Sequence, residues 1–249
     1  KLTHEGVKIH VFEDYDSPNS VFPNNWFSTH HGGRVAVFPM FSPNRRRERR
    51  HDVIDMLKSD YRVQEVVDYS GLEYDDLFLE GTGAMVFDHL ERLAYVGKSN
   101  RADPVVLERF CTTFGYEPMA FDTSDHNGNP IYHTNVIMSI STEYALICLD
   151  MISNPQRRKE IQDRLTNSGR TVIDLSREQV NEFAGNALEM TGAKHRVLAL
   201  SARAAAALKK DQIKIIEKSA KLLPLHIPTI ELEGGSVRCM IAGIHLTAR

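Results

Sequence analysis

Apolar and polar residues alternate in short runs along this chain, which is the pattern of half-buried β-strands. The first two runs, residues 24–29 and 34–39, flank the turn His30-His31-Gly32-Gly33 and predict a hairpin. Apolar residues at helical spacing follow over 45–60, with Asn44 as the predicted N-cap, and another strand is predicted over 63–69. One unit thus consists of strand, turn, strand, helix and strand.

The same unit recurs four more times. Each unit, including the first, begins at a polar residue that we call its marker. The markers are Asn25, Glu80, His133, Asn186 and Cys239. They are separated by 55, 53, 53 and 53 residues. The predicted first strands of the later units are 80–87, 133–140, 185–190 and 234–240, and the predicted last strands are 116–121, 172–175 and 227–232. Helices are predicted over 103–114, 154–165, 176–183 and 209–222. A fixed period of this size indicates a repeat architecture.

The two ends of the chain complement each other in this pattern. The fifth hairpin has no helix after it, whereas residues 1–5 resemble the last turn of a helix that ends at Gly6 and a strand is predicted over 7–12. We therefore expect one α/β domain over residues 1–249. It is expected to be a closed ring of five units completed by the N-terminal segment, whose helix is incomplete.

Composition excludes several classes of protein. The chain is 42% hydrophobic and 25% charged with a formal charge of −3, which is ordinary for a soluble globular protein and argues against a nucleic-acid or membrane-surface protein. No apolar run approaches the roughly 20 residues that span a bilayer, and the polar first residues predict no signal peptide. The three cysteines, Cys111, Cys148 and Cys239, show no metal-binding or disulfide spacing, so we expect no metal and a reducing compartment, the cytoplasm.

Equivalent positions of a closed ring converge on its axis, so we expect Asn25, Glu80, His133 and Cys239 to face one cavity. A cysteine thiolate is a nucleophile, a histidine can carry its proton, and a carboxylate can orient the histidine or bind a substrate nitrogen. Taken singly, each residue has a structural explanation, as a packed thiol, a core histidine or a turn-capping glutamate. Their common phase in the repeat favours catalysis.

Five segments resemble motifs of the pentein superfamily of guanidine-modifying enzymes, which includes arginine deiminase, agmatine deiminase, dimethylarginine dimethylaminohydrolase and the amidinotransferases. Glu80-Gly81-Thr82-Gly83 resembles its Glu/Asp-Gly-Gly-Asp segment, and His133-Thr134-Asn135 resembles its His-x-Asp. The run from Gly234 to Cys239 resembles its Gly-Gly-x-x-His-Cys. Asn24-Asn25 stands where the superfamily has an acidic pair, and the arginine-rich run that begins at Arg45 resembles the helix start that follows.

The resemblance implies a five-bladed α/β-propeller in which Cys239 is the nucleophile, His133 the acid and base, and Glu80 the carboxylate partner. It implies that Arg45 and Arg101 grip a substrate α-carboxylate, and that no cofactor is needed. The remaining predicted substrate-binding residues are Asn24, Asn25 and Asn135.

Three departures from the superfamily pattern bear on the substrate. Asn25 and Asn135 replace two aspartates that bind guanidinium in arginine deiminases, and Gly83 replaces a third aspartate. An amide offers a donor and an acceptor without charge, which suits a neutral ureido group better than a cation. The sequence around Asn25 and His133 most resembles that of the citrulline-utilisation hydrolase branch, which implies cleavage of citrulline to ornithine, carbon dioxide and ammonia.

Other functions stay open at this point. They are a dimethylarginine or arginine hydrolase of the deiminase type, an amidinotransferase, and a propeller that binds an amino acid without catalysis. Arg47, Arg49 and Arg50 are interpreted as a solvated helix face, since the run lacks the interleaved aromatic residues of a nucleic-acid site. The expected partner is a small amino acid, and a homo-oligomer is left open.

Overall fold

Four three-stranded sheets form the β-structure of the residues described by this computed structural model, which are 1–15 and 17–249. In each sheet the first two strands are an antiparallel hairpin and the third pairs parallel with the second. The strands are β1 (Phe27–His30), β2 (Arg34–Val37), β3 (Glu65–Asp68), β4 (Met85–Asp88), β5 (Leu93–Gly97), β6 (Glu117–Phe121), β7 (Met138–Ile140), β8 (Tyr144–Ile147), β9 (Thr171–Asp174), β10 (Leu188–Thr191), β11 (Arg196–Ser201) and β12 (Ala220–Leu225).

A helical connection joins the second and third strands of each sheet, because parallel neighbours need a crossover. The α-helices are α1 (His51–Asp60), α2 (Gly81–Ala84), α3 (Pro104–Phe114), α4 (Pro155–Asn167), α5 (Arg177–Asn181), α6 (Ala202–Ala207), α7 (Lys210–Ile216) and α8 (Pro228–Glu231). The helix starts predicted at Asp103 and Asn154 are confirmed: both side chains accept hydrogen bonds from backbone N–H groups of the first turn, and a proline follows each.

The predicted helix over 45–60 is two separate segments. Pro43–Glu48 is a 3₁₀ helix, Arg49 and Arg50 are extended, and α1 starts at His51. Asn44 caps neither segment, so that prediction was wrong. The two arginines also leave the predicted solvated face: Arg49 binds Glu73 at 3.0 Å and Arg50 binds Asp52, while Arg47 is exposed as predicted. These ion pairs stabilise the break.

Two further predictions were wrong near the C-terminal end of the chain. Residues 220–222, predicted as the end of the helix over 209–222, belong to strand β12, because pairing with β11 outweighs local helical preference. Residues 228–231, predicted as a strand, form α8 with Pro228 in its first turn. The segments 7–12 and 234–240 are likewise not strands.

The two ends of the chain lie between the fourth sheet and the first. The N-terminal turn Leu2–Glu5 packs on the fourth unit, where the Glu5 carbonyl accepts from Ala193 N at 2.8 Å. The segment after it reaches the first unit, where His10 bonds to the Tyr61 hydroxyl at 2.8 Å. The C-terminal segment also packs on the first unit, since Thr29 Oγ1 donates to the Gly243 carbonyl at 2.9 Å. No helix in the described part of the chain is long and apolar enough to cross a membrane.

Candidate active site

Asn25, Glu80, His133 and Cys239 lie in short turns or directly before them, not on strands as predicted. Asn25 ends the 3₁₀ turn Pro23–Asn25, Glu80 immediately precedes α2, and His133 immediately precedes the 3₁₀ turn Thr134–Val136. Cys239 lies in a turn over residues 237–240. All four side chains are 5% exposed or less, so each turn places its marker side chain in the interior.

Glu80 and His133 form a buried hydrogen-bonded pair. His133 Nε2 lies 2.7 Å from Glu80 Oε2, and the side chains are 3% and 0% exposed. Burial opposes the charge on Glu80, but the His133 hydrogen bond and the charges of His133, Arg101 and Arg45 lower its pKa to about 2. A carboxylate only accepts hydrogen bonds, so we assign the proton to Nε2. Burial lowers the pKa of His133 despite Glu80, which leaves its Nδ1 unprotonated at neutral pH and able to accept a proton.

The Cys239 sulfur accepts hydrogen bonds from two buried asparagines. Asn135 Nδ2 lies 3.4 Å from Sγ and Asn186 Nδ2 lies 3.2 Å from it. Cys239 is 5% exposed, and the turn that carries it is closed by a hydrogen bond from its N–H to the Ser236 carbonyl. Both neighbours donate, so this environment can solvate a negative sulfur.

Arg45 is held inside the same cluster by carboxylate and amide oxygens. Its Nε and Nη2 bind the two Glu48 oxygens at 2.8 and 2.9 Å, and its Nη1 lies 4.0 Å from Glu80 Oε2. With the Asn25 amide oxygen turned toward it, Asn25 accepts from Nη1 and Nη2 at 3.3 and 3.0 Å and donates to Asn24 Oδ1 at 3.2 Å. The Arg45 guanidinium is therefore engaged within the protein.

Arg101 is the more accessible of the two predicted carboxylate-binding arginines. Its Nη1 donates to Glu80 Oε2 at 3.0 Å, and its guanidinium lies 5.6 Å from the ring centres of both Phe41 and Tyr132. The Tyr132 hydroxyl donates to the Gly234 carbonyl at 2.7 Å, which ties the His133 segment to the cysteine segment. Arg101 thus lies between the buried carboxylate and a partly exposed aromatic pair.

Gly83 has no room for a side chain, which explains the loss of the aspartate expected there. A Cβ at this position would lie 2.2 Å from the Asn25 side-chain amide and 2.9 Å from His133 Nδ1 and Cε1. Gly81 is similarly restricted, because its Cβ would lie 2.4 Å from the Asn24 carbonyl. The second motif therefore has no carboxylate at position 83 and packs directly on the first and third motifs.

We expect Gly83→Ala to reduce turnover by about tenfold or more, because displacing His133 or Asn25 by a fraction of an ångström disturbs the reacting geometry. Alanine favours helix, so the loss would not come from the backbone of α2. Steady-state kinetics with the product assay described below provides the measurement. Gly71→Ala, at an exposed position with open space around it, is the matched control. Equal turnover of the Gly83→Ala variant and the wild type would contradict the packing argument.

Two polar atoms of the cluster have no hydrogen-bond partner. They are Asn24 Nδ2, a donor, and Asn135 Oδ1, an acceptor, and both residues are 0% exposed. Buried polar groups are rarely left unpaired, so each needs a partner from a ligand or water. Within residues 1–15 and 17–249, no three His, Cys, Asp or Glu side chains are arranged to hold a metal ion.

Sequence reasoning assigned no role to two residues of this cluster. Asn186 was identified as a marker of the repeat, and its phase was the signal that it lies beside Cys239. Glu48 was part of the arginine-rich run, and only the structure shows that it is buried and binds Arg45. Six of the eight predicted site residues are linked by the contacts around Glu80 and Arg45, and the other two, Cys239 and Asn135, contact each other. The approach of Cys239 to His133 stays a prediction.

A family model described as N,N dimethylarginine dimethylhydrolase, eukaryotic, matches residues 1–246. No curated protein is a significant match to the chain.

Solved structures share the fold at low sequence identity. ArgZ, an arginine dihydrolase from the ornithine-ammonia cycle in cyanobacteria, aligns with a TM-score of 0.72 and 17% identity over 94% of this chain and 35% of ArgZ. AgrE, in a cysteine-to-alanine variant with L-arginine, has a TM-score of 0.76 and 14% identity over 100% of this chain and 35% of AgrE. A dimethylarginine dimethylaminohydrolase adduct with 4-chloro-2-hydroxymethylpyridine has a TM-score of 0.63 and 12% identity over 91% of this chain and 79% of the aminohydrolase chain. The chain thus spans about a third of the length of ArgZ and AgrE.

Proposed function

The chain belongs to the N,N dimethylarginine dimethylhydrolase family of the pentein superfamily, and we propose that it is a cysteine hydrolase that cleaves citrulline to ornithine, carbon dioxide and ammonia. In this proposal Cys239 is the nucleophile, His133 the acid and base, and Glu80 the carboxylate that orients His133. Asn24, Asn25 and Asn135 surround the ureido group.

One observation carries the choice of a neutral substrate: among the residues that the structure describes, both carboxylates of the cluster, Glu48 and Glu80, already have a cation. Glu48 binds Arg45 through both oxygens, and Glu80 binds Arg101 beside His133. The two formal negative charges are thus matched by two arginines, and the unpaired polar atoms are the amide groups of Asn24 and Asn135. A guanidinium would have to be buried without a free carboxylate, which costs free energy. A ureido group supplies a C=O for the free donor and an N–H for the free acceptor.

The chemistry then proceeds in two steps. The thiol proton of Cys239 passes to His133, and the thiolate attacks the ureido carbon. The bond from that carbon to the ornithine nitrogen breaks, and His133 returns the proton to the departing amine. Water, deprotonated by the now neutral His133, attacks the S-carbamoyl group and releases carbamate, which decomposes to carbon dioxide and ammonia. A covalent intermediate divides one difficult step into two easier ones.

Of the two predicted carboxylate-binding arginines, we assign Arg101 as the main ligand of the substrate α-carboxylate. Arg101 has 22% of its side chain exposed and Arg45 has 9%, and both Glu48 oxygens already bind Arg45. Planar guanidinium groups bind carboxylates well, provided that their donors are free. Arg45 is assigned to hold Asn25 and Glu48 in place.

The five-bladed propeller belongs to the same proposal. Contacts between neighbouring units run from the first sheet through the fourth, and the chain ends occupy the interval between the fourth and the first, where a fifth unit would lie. Cys239 comes from that interval.

The test is a product assay with three substrates. The full chain is incubated separately with citrulline, arginine and N,N-dimethylarginine, and ornithine, citrulline, ammonia and dimethylamine are measured. We expect ornithine and ammonia from citrulline, with kcat/KM at least about tenfold above that for arginine. Cys239→Ser is the matched control and should form no product.

Other outcomes point to the alternatives. Citrulline formed from N,N-dimethylarginine would assign the reaction of the family's name. Transfer of a carbamoyl or amidino group to an added amine would assign a transferase. Binding of substrate without product would assign the non-catalytic propeller. Activity that persists in Cys239→Ser would contradict the mechanism.

A further inference from the structure

Asn186 lies where three parts of the site meet. Its Nδ2 is 3.2 Å from Cys239 Sγ and 3.0 Å from the Asn135 carbonyl oxygen, and its Oδ1 is 3.0 Å from the backbone nitrogen of Arg238. Asn186 is 1% exposed, so it makes these contacts away from solvent. One side chain therefore links the cysteine turn to the segment that follows His133.

Backbone groups fix the orientation of this amide. A backbone N–H can only donate, so the atom facing Arg238 must be Oδ1, and a carbonyl only accepts, so the atom facing Asn135 must be Nδ2. Nδ2 carries two hydrogens, one for the Asn135 carbonyl and one for the sulfur. The sulfur is therefore the acceptor in this contact, which is the arrangement that stabilises a thiolate.

The neighbouring sequence brings the amide to this place. Gly185 approaches the backbone after Asn135 so closely that a Cβ would lie 2.5 Å from the Val136 carbonyl. The Asn186 N–H is also bonded to the Phe183 carbonyl at 2.9 Å, in a turn in which Phe183 has a φ of 63°. The tight turn from Phe183 to Asn186, which contains Gly185, thus holds the Asn186 side chain in contact with the sulfur.

We propose that Asn186 is a catalytic residue that stabilises the Cys239 thiolate formed when His133 takes the thiol proton and fixes the sulfur relative to the His133 segment, an inference that rests on the proposed role of Cys239 as nucleophile. Asn135 assists as the second donor, but its own Oδ1 is left free for substrate. Both polar atoms of the Asn186 side chain are already engaged by the protein, so neither is left for substrate.

The test is a titration of the thiolate that needs no substrate. The ultraviolet absorbance of the thiolate is followed against pH in the wild type, with Cys239→Ser subtracted. Burial raises the pKa of Cys111 to about 12 and also raises that of Cys148, and the subtraction removes the absorbance of both. In Asn186→Asp an acceptor with a negative charge faces the sulfur, and we expect the midpoint to rise by about two pH units. Asn186→Ala removes the donor without adding charge, and its midpoint should rise by about one unit.

Asn167→Asp is the matched control, because it makes the same substitution at an exposed position at the end of α4. Its midpoint should equal that of the wild type. A purely structural role would lower the melting temperature of both Asn186 variants and leave their midpoints unchanged, and that result would overturn the inference. If Asn186→Asp does not fold, the midpoint of Asn186→Ala decides.

The titration and the product assay fail separately. A raised midpoint in a protein that turns over no substrate would support the role of Asn186 and contradict the proposed function. Citrulline turnover by the wild type, together with unchanged thiolate midpoints in the Asn186 variants, would support the proposed function and contradict the role of Asn186.

Discussion

Glu80→Gln is expected to lower the kcat for citrulline by about a thousandfold, because the orienting partner of the acid–base histidine is lost. The wild-type carboxylate accepts from His133 Nε2, Arg101 Nη1 and the Phe41 N–H, all within 3.0 Å. A glutamine can accept through only one oxygen, and its NH₂ group would face donors. His133 would then lose its assigned tautomer, and Arg101 would lose its charged partner. Steady-state kinetics measures the effect on kcat.

The same substitution should change how stability depends on pH. The Glu80 pKa falls from an ordinary value of 4.5 to about 2 on folding, so its contribution is complete above pH 4.5 and is lost as pH falls toward 2. The shift corresponds to about 3 kcal/mol of unfolding free energy. Urea unfolding at pH 7 and at pH 3 should therefore show a smaller acid-induced loss in Glu80→Gln than in the wild type.

Glu117→Gln is the control for both measurements. Glu117 binds Arg164 at 2.8 Å, but its side chain is 54% exposed, and exposed ion pairs contribute little. Its kcat and acid sensitivity should match the wild type. The proposed role of Glu80 would be wrong if Glu80→Gln kept wild-type kcat while the fold was intact.

Asp88→Asn is expected to lower the unfolding free energy by about 3–5 kcal/mol, because it leaves the buried Arg170 charge without a partner. Asp88 ends β4, Arg170 immediately precedes β9, and the two side chains are 1% and 4% exposed. Their paired contacts are 2.7 and 3.1 Å, and Arg170 Nε also donates to the Ser141 carbonyl. This pair joins the second and third units. Urea unfolding measures the expected loss of unfolding free energy.

Asp150→Asn provides the comparison for this stability effect. Asp150 also binds an arginine, Arg177, but it is 65% exposed, so its loss should cost less than about 1 kcal/mol. The double variant Asp88→Asn, Arg170→Met removes the unpaired charge and should recover part of the stability. Equal stability of Asp88→Asn and Asp150→Asn would contradict the assignment of a buried pair.

Local signals predicted the parts of the fold that local physics controls. The capping residues Asp103 and Asn154 with their prolines located α3 and α4, and the run predicted over 34–39 located β2. The prediction failed where non-local pairing competes with local preference. Residues 220–225 pair with β11 although their neighbours favour helix, and residues 234–240 have no partner strand and form turns. No local pattern reports such partners.

Residue type and period predict Cys239, His133 and Glu80 as the catalytic residues, because equivalent positions of a repeat are expected to meet if the units pack around one centre. They were not sufficient to say what those residues face. Only the tertiary structure decides that Arg45 is occupied by Glu48, that Gly83 leaves no space for a carboxylate, and that Asn186 donates to the sulfur. The physical reason is that charge neutralisation, close packing and the direction of a hydrogen bond depend on distances between units far apart in the chain.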